Sequence, residues 1–339
     1  MSYAALRDRL TAFRNEPKRV AALPDGSVDR CYRVSGPGGD RFETPEALAR
    51  YLRSGDGDTV PIEPIDVRPG GQAVNAASQV HALGDDAALV GHLDHPVFAT
   101  LPFETRSMGS PTEIHAFVFD GEERLFPDRS TQAPDWDVDD LRDAVEWDRL
   151  VDADALCCAN WASYRGLVGV FDRLAERRPD DLPVVVDPGA IELVGDAELE
   201  TLLGALTRAD AAADVYLSVD PNEYGRVANV VDASEMPTER RAAALRSELE
   251  IAGIVSHGAD EAIAATCEGT AAVEMLEIDD PMFTMGAGDR FSGALACALA
   301  RDWPREHALA LGNACAASFV ATGETAALDA LESRLAGAG

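Results

Sequence analysis

The feature that most constrains this chain is a rhythm in its second half, where short, nearly continuous apolar runs are separated by amphipathic stretches of helical period. The runs ALCCA (155–159), PVVVD (183–187), VYLSV (215–219) and GIVS (253–256) have strand length. Helices are predicted between and after them, near 164–176, 196–208, 221–230 and 238–250. Buried strands alternating with amphipathic helices are what a parallel sheet covered on both faces requires. A helix near 138–150 leads into this pattern, and three helices close the chain after β-prone pieces that reach about residue 278. Nearer the amino terminus, VAAL (20–23) and AALVG (87–91) read as further strands of the same layer. Between them runs a predicted helix from Gly71 to Leu83 that Gly84 is placed to stop. Leu6, Leu10 and Phe13 at helical spacing put a short helix ahead of the first strand.

Two stretches do not fit that layer. Residues 29–67 mix Gly and Pro with short β-prone pieces, apart from a helix opening at Pro45 and running to Ser54, and strand signals return from Asp58 to Val67. Residues 113–126, EIHAFVFDGEERLF, read as a hairpin turning at Asp120 and Gly121. The expectation is one α/β domain over residues 1–339, with a doubly wound, mostly parallel sheet and a small β-sheet lid built from these insertions. Residues 92–111 show no clear period.

Charge bounds the partners. Sixty acidic against 29 basic residues gives 29 − 60 = −31, and Lys18 is the only lysine. Such a surface repels phosphate backbones and anionic lipid, so neither nucleic acid nor a membrane is an expected partner, and it suits a halophilic, highly saline environment. Cys31, Cys157, Cys158, Cys267, Cys297 and Cys315 form no zinc or redox spacing and read as small buried hydrophobes. The start lacks the order of a signal peptide, and no apolar run approaches the roughly 20 residues of a membrane helix, so a soluble, cytoplasmic protein is expected. A Walker-type site needs GxxxxGK[ST], which the position of the sole lysine excludes, and no GxGxxG follows the first strand to support a dehydrogenase.

Three segments carry chemistry. Phe283 to Gly293, FTMGAGDRFSG, ends a β-prone stretch and opens a helix, so its glycine turn and exposed amides make a site for an anion, with Asp289 in the first turn. Pro69 to Ala77, PGGQAVNAA, leads paired glycines into another helix, where Asn75 offers a donor and an acceptor to a hydroxyl. Gly26, Ser27, Val28 and Asp29 lie just past the first strand, where open α/β sheets bind ligands.

In this order the segments resemble the ribokinase/PfkB family of carbohydrate kinases over about residues 19–330. GGQAVNAASQVHALG is similar to the family's amino-terminal glycine signature and GAGDRFSGAL to its carboxy-terminal one. The resemblance implies phosphoryl transfer from ATP or another nucleoside phosphate, with Mg²⁺, to a hydroxyl of a sugar-like molecule, and a lid that often serves as a homodimer contact. It implies Asp289 as general base, and Gly286, Ala287 and Gly288 amides as the anion hole. Asp29, Gly71 and Asn75 match substrate positions, with Gly70 as supporting turn geometry. Ser256 and Gly258 match the family's T-x-G segment, Asn313 a position near adenine, and Asn222 the start of its N-x-x-E motif. The acid of that motif is replaced by Gly225, leaving Glu223 as the nearby carboxylate for a metal. The residues ahead of GAGD, the Glu261 position and the 91–111 stretch also depart from the family pattern.

Among other candidates, His115 on the lid could touch substrate, polar surface or lid roles are expected for at least three of His92, His95, His115 and His257, and Arg106, Arg124 and Arg165 are candidate anion clamps. Three functions stay open. One is a kinase of a sugar or sugar phosphate, with a pentose or pentose 1-phosphate among the acceptors. A second is a nucleoside kinase of the same family, favoured by aromatic contacts from the lid. The third is a non-catalytic sugar- or nucleotide-binding protein, favoured by Gly225 and opposed by Asp289.

Overall fold

Val20 and Ala22 pack into one apolar cluster while Ala21 and Leu23, between and beside them, pack into another. That alternation along a single strand shows a sheet buried on both faces, because successive side chains of a strand point to opposite sides. The strand is β1 (Arg19–Leu23), third from one edge of a nine-stranded sheet completed by β4 (Asp86–Gly91), β5 (Glu104–Ser107), β8 (Ala155–Ala159), β9 (Pro183–Asp187), β10 (Asp214–Val219), β11 (Gly253–His257), β12 (Glu261–Thr266) and β13 (Gly269–Glu274). Their order is β13-β12-β11-β10-β9-β8-β1-β4-β5. All neighbours are parallel except β11 with β12 and β12 with β13, which form an antiparallel edge. The computed structural model describes residues 2–337 apart from 37, 56–58, 121, 129–134, 177–180, 235, 237, 279–280 and 282–283. Asp58, Gly121 and Phe283, named above, lie outside the described residues.

The lid is a separate four-stranded sheet, β3-β2-β6-β7, made of β2 (Ser27–Val34), β3 (Ile62–Gly70), β6 (Thr112–Val118) and β7 (Glu123–Pro127). The helix expected at Pro45–Ser54 is present between β2 and β3, its amino terminus capped by Thr44. The ribokinase-like α/β layout with a β lid is therefore the observed one.

Three local readings change. The helix near 138–150 is two helices, Val138–Ala144 and Trp147–Val151, joined through extended backbone at Val145 and Glu146. A continuous helix would place Trp147 about 120° around the axis from Leu141, whereas the break lets Leu141, Trp147 and Leu150 enter one core. The strand read at 58–67 is displaced to Ile62–Gly70, and Gly70 is not a turn residue: it ends β3 opposite Ser27, and a Cβ there would lie 2.2 Å from the Asp29 carboxylate. The stretch without period holds a 3₁₀ turn at Pro96–Thr100 and the edge strand β5, too short and too polar to show an alternation.

Among the described residues no helix is long and apolar enough to cross a membrane. With a formal charge of −31 the folded chain repels itself, and molar salt shortens the screening length to about 3 Å, from about 10 Å at 0.1 M. The expected result is a melting temperature that climbs steadily from dilute buffer to molar KCl; equal stability in both would refute a saline adaptation.

Candidate active site

The site is assembled at the carboxyl ends of the parallel strands, where helix amino termini and loops converge. Asp25 and Gly26 follow β1, Asn160 follows β8, Asp187 ends β9, Asp220 follows β10 and His257 ends β11. Two helices bring the glycine signatures together, Gln72–Ala82 and Ala287–Leu299. They cross closely because residue 293 is glycine, where a Cβ would come within 2.6 Å of the Ala76 carbonyl oxygen.

This contact puts Asp289 among amide donors. Asn75 Nδ2 donates to Asp289 Oδ2 at 2.7 Å, and Gln72 Nε2 donates to Asp289 Oδ1 at 3.1 Å. The same Gln72 nitrogen lies 3.3 Å from Asp187 Oδ1, and Ser292 Oγ donates to Asp187 Oδ2 at 2.9 Å. Asp25 accepts the backbone N–H groups of Gln72 and Ala73 at 2.9 and 2.6 Å and Asn160 Nδ2 at 2.9 Å. It therefore serves the start of the Gln72 helix, where orphan donors need acceptors.

Burial decides the proton affinities of these acids. Asp25 is pushed up to about 6 by burial, against the pull of its three donors. Burial and then the Asp289 charge raise Asp187 to about 7, and Asp29 is raised by burial despite its bond from Ser27 Oγ. Glu223 is raised to about 9 by burial and then by Asp187. Crowded carboxylates hold protons, or a cation, more tightly than isolated ones.

Two clefts meet at the Gly286 turn. The lid cleft, about 430 Å³, lies between the lid and the main sheet and is lined by Asp29, Gly71, Asn75, Gly286 and Asp289. The second cleft, about 960 Å³, is bounded by Asp220, the β11–β12 turn, Ala287, Gly288 and the helix Arg305–Thr322. The turn thus stands at the boundary, with Gly286 and Asp289 facing the lid cleft and Ala287 and Gly288 facing the second. Gly286 itself has φ +84° as the helix N-cap, and Arg290 Nη1 donates to its carbonyl at 2.9 Å. The Ala287 amide reaches the Thr284 carbonyl at 3.3 Å, a long bond that an incoming anion can replace.

Not every expected residue reaches a wall. His115 lies on the outer face of the lid beside Tyr32, while Ile114, one residue earlier, faces the cleft. Of the four residues matched to the nucleotide, Gly258 lines the second cleft. Ser256, Asn222 and Asn313 are not part of that lining. Asn222 stands exposed in the first turn of Pro221–Val230, its N–H on the Asp220 carboxylate, and Asn313 is buried with Nδ2 on the Val273 carbonyl at 3.0 Å. The cleft is instead faced by Asp220, His257 and, one turn beyond Asn313, Ala316 and Ala317.

The histidine reading is also corrected. His92 is buried against Tyr164 with Nδ1 3.0 Å from the Pro24 carbonyl, and His257 stacks on Phe291 with Nε2 shielded from water. Only His95 and His115 keep surface or lid places. Arg106, Arg124 and Arg165 pair with Glu104, Glu122 and Glu198 outside both linings. The guanidiniums that do face the lid cleft are those of Arg68 and Arg290. They, Gln72 and Asn160 were missed; only Gln72, one turn before Asn75 in the glycine signature, carried a local signal.

Among the described residues no group of three His, Cys, Asp or Glu is placed to hold a metal alone. That fits Mg²⁺, which often keeps its waters and takes one or two carboxylates besides substrate phosphates. Glu223 and Asp187 are the buried pair whose mutual repulsion such an ion would relieve, although Glu223 also accepts the Asp220 N–H at 2.8 Å.

A family model of prokaryotic ketohexokinases matches residues 46–337. A ketohexokinase of Haloferax volcanii is 29 % identical over 343 aligned positions, covering 92 % of this chain and 89 % of that protein. Among solved structures, a Thermotoga maritima ribokinase superposes with a TM-score of 0.67 at 17 % identity, covering 94 % of this chain and 98 % of that one. Escherichia coli phosphofructokinase-2 gives 0.65 at 14 % identity, again over 94 % and 98 %. At such identities these two speak for the fold alone.

Proposed function

This chain belongs to the prokaryotic ketohexokinase family, among the ribokinase/PfkB carbohydrate kinases, and we propose on that premise that it phosphorylates a hydroxyl of a ketohexose with ATP as donor. It is a phosphotransferase with an alcohol acceptor. The Haloferax relative moves the first acceptor to try from a pentose to a ketohexose.

The observation that carries this reading is the place of Asp289 on the turn that separates the two clefts. The sugar sits in the lid cleft with Asp29 and Asn75 as hydroxyl partners. Asp289 takes the proton of the reacting hydroxyl as its oxygen bonds to the γ-phosphorus, and the bond from that phosphorus to the bridging β–γ oxygen breaks, leaving ADP. Amides of the Gly286–Gly288 turn face the phosphoryl oxygens across the boundary, where fixed donors favour charge that develops in the transition state. The second cleft offers Leu276, Ile278, Ala316 and Val320 to a flat base. Glu223 and Asp187 would stand by the nucleotide's Mg²⁺, which supplies charge neutralisation on the phosphates when bound.

Exposed Ile62, Ile65, Val67 and Phe126 are all on the lid and support a homodimer through it, which light scattering of the purified protein reads. The function is tested by offering D-fructose, D-ribose, ribose 1-phosphate and adenosine with ATP, ADP or GTP and Mg²⁺ in molar KCl. Turnover highest with fructose and ATP is expected. A preference for adenosine would favour a nucleoside kinase, and binding without turnover of any acceptor would leave a binding protein.

A further inference from the structure

The lid cleft contains an ion pair that the phosphoryl transfer does not use. Arg68 stands on β3 and Glu123 on β7, the two outermost strands of the lid, with β2 and β6 between them. Arg68 Nη2 nevertheless lies 3.3 and 3.2 Å from the two Glu123 oxygens, so the pair spans the cleft face of the whole lid. The Glu123 side chain is only 8 % exposed while that of Arg68 is 42 % exposed. Asp29, a proposed hydroxyl partner, lies in the field of both groups.

The remaining guanidinium of this cleft is already committed. Arg290 donates to the Gly286 carbonyl at 2.9 Å and to Thr325 Oγ1 at 3.1 Å, and it lies 3.7 Å over the Phe319 ring. Lining acids Asp25, Asp29, Glu123 and Asp289 outnumber Arg68 and Arg290. An uncharged polyol meets this wall without conflict. A phosphorylated sugar would have to detach Arg68 from a nearly buried carboxylate and leave that carboxylate without its partner, which is costly.

We propose that Glu123 is a specificity-determining residue: by holding Arg68 across the lid it closes an anion subsite and restricts the cleft to uncharged acceptors. This rests on the sugar-kinase reading above. Loss of the Glu123 charge frees Arg68, whose planar donors suit a phosphate, so the variant gains a ligand class rather than merely losing activity.

The test compares wild type, Glu123→Gln, Arg68→Gln and the double variant at constant ionic strength, each checked for folding by its thermal transition. Two quantities are read: the inhibition constant of inorganic phosphate competing with fructose rather than with ATP, and kcat/KM for fructose 6-phosphate relative to fructose. E123Q is expected to lower the first and raise the second by about tenfold or more, a difference of about 1.4 kcal/mol. The double variant is expected to return both to wild-type values, which a merely structural pair would not do. An unchanged phosphate constant and acceptor ratio in E123Q, or a gain that survives the loss of Arg68, overturns the inference. If E123Q does not fold, Glu123→Asp, which withdraws the carboxylate by one methylene, is expected to shift both readings the same way by less, and no shift overturns the proposal. Failure of every wild-type acceptor defeats the kinase reading instead, and calorimetric titration of E123Q with inorganic phosphate then still tests the subsite.

Discussion

Asp289→Asn is expected to remove nearly all turnover while leaving the sugar bound. General-base assistance contributes about 10²- to 10⁴-fold to such reactions, and an amide cannot take the proton of an attacking alcohol. The geometry adds a second reason. Both oxygens of Asp289 accept from amide nitrogens, Asn75 Nδ2 and Gln72 Nε2, so a carboxamide at 289 must turn its own NH₂ toward one of these donors and lose that bond. The cost to folding is about one unsatisfied donor, roughly 1–3 kcal/mol, small enough for a folded variant. The check is kcat beside calorimetric binding of fructose. A kcat at the wild-type level would show that Asp289 is not the base.

Asp85→Ala is expected to cost about 3–5 kcal/mol of stability, the loss typical of a buried ion pair left with one partner. Asp85 and Arg301 have side chains 0 % and 4 % exposed and meet through two contacts of 2.6 and 2.7 Å. The pair is also a junction: Asp85 Oδ1 accepts the Lys18 N–H at 2.9 Å, while Arg301 reaches the Glu16 carbonyl at 3.0 Å and lies over the Phe13 ring. The entry to β1, the two amino-terminal helices Ser2–Arg9 and Thr11–Asn15, and the end of the Ala287–Leu299 helix are fastened there. Removing both charges by Asp85→Leu with Arg301→Met is expected to recover most of the loss, because an apolar pair of similar bulk avoids the desolvation of two ions. Chemical denaturation in molar KCl measures it. A change below about 1 kcal/mol in the single variant would mean that water reaches Arg301 once Asp85 is gone.

Much of the fold was legible because its signals are local. Runs such as PVVVD and VYLSV are too apolar to lie anywhere but between two layers, and the helices around them carry one apolar face. Local signals misled where a side chain answered to a distant partner. The 138–150 helix breaks so that Trp147 can join Leu141 in the core, while His92 is buried against Tyr164 and half-buried His257 stacks on Phe291, rings supplied by other elements. Asn313 has the polarity of a ligand contact, but its amide is taken by the carbonyls of the edge strand β13. Strand alternation separates His115 from Ile114, and only the lid's placement against the main sheet reveals which of the two faces the cleft.

By itself the sequence determined the layered α/β architecture, the acidic surface, and the two glycine turns with Asn75 and Asp289, since each depends on residues adjacent in the chain. The tertiary structure alone decided what surrounds Asp289. Gln72 and Asp187 come from different elements, Asn160 reaches the neighbouring Asp25 from beyond β8, and Arg68 meets Glu123 across 55 positions. Hydrogen bonding, burial and charge act through space over a few ångströms, so these partnerships exist only once the strand ends, the crossing helices and the lid have been brought together.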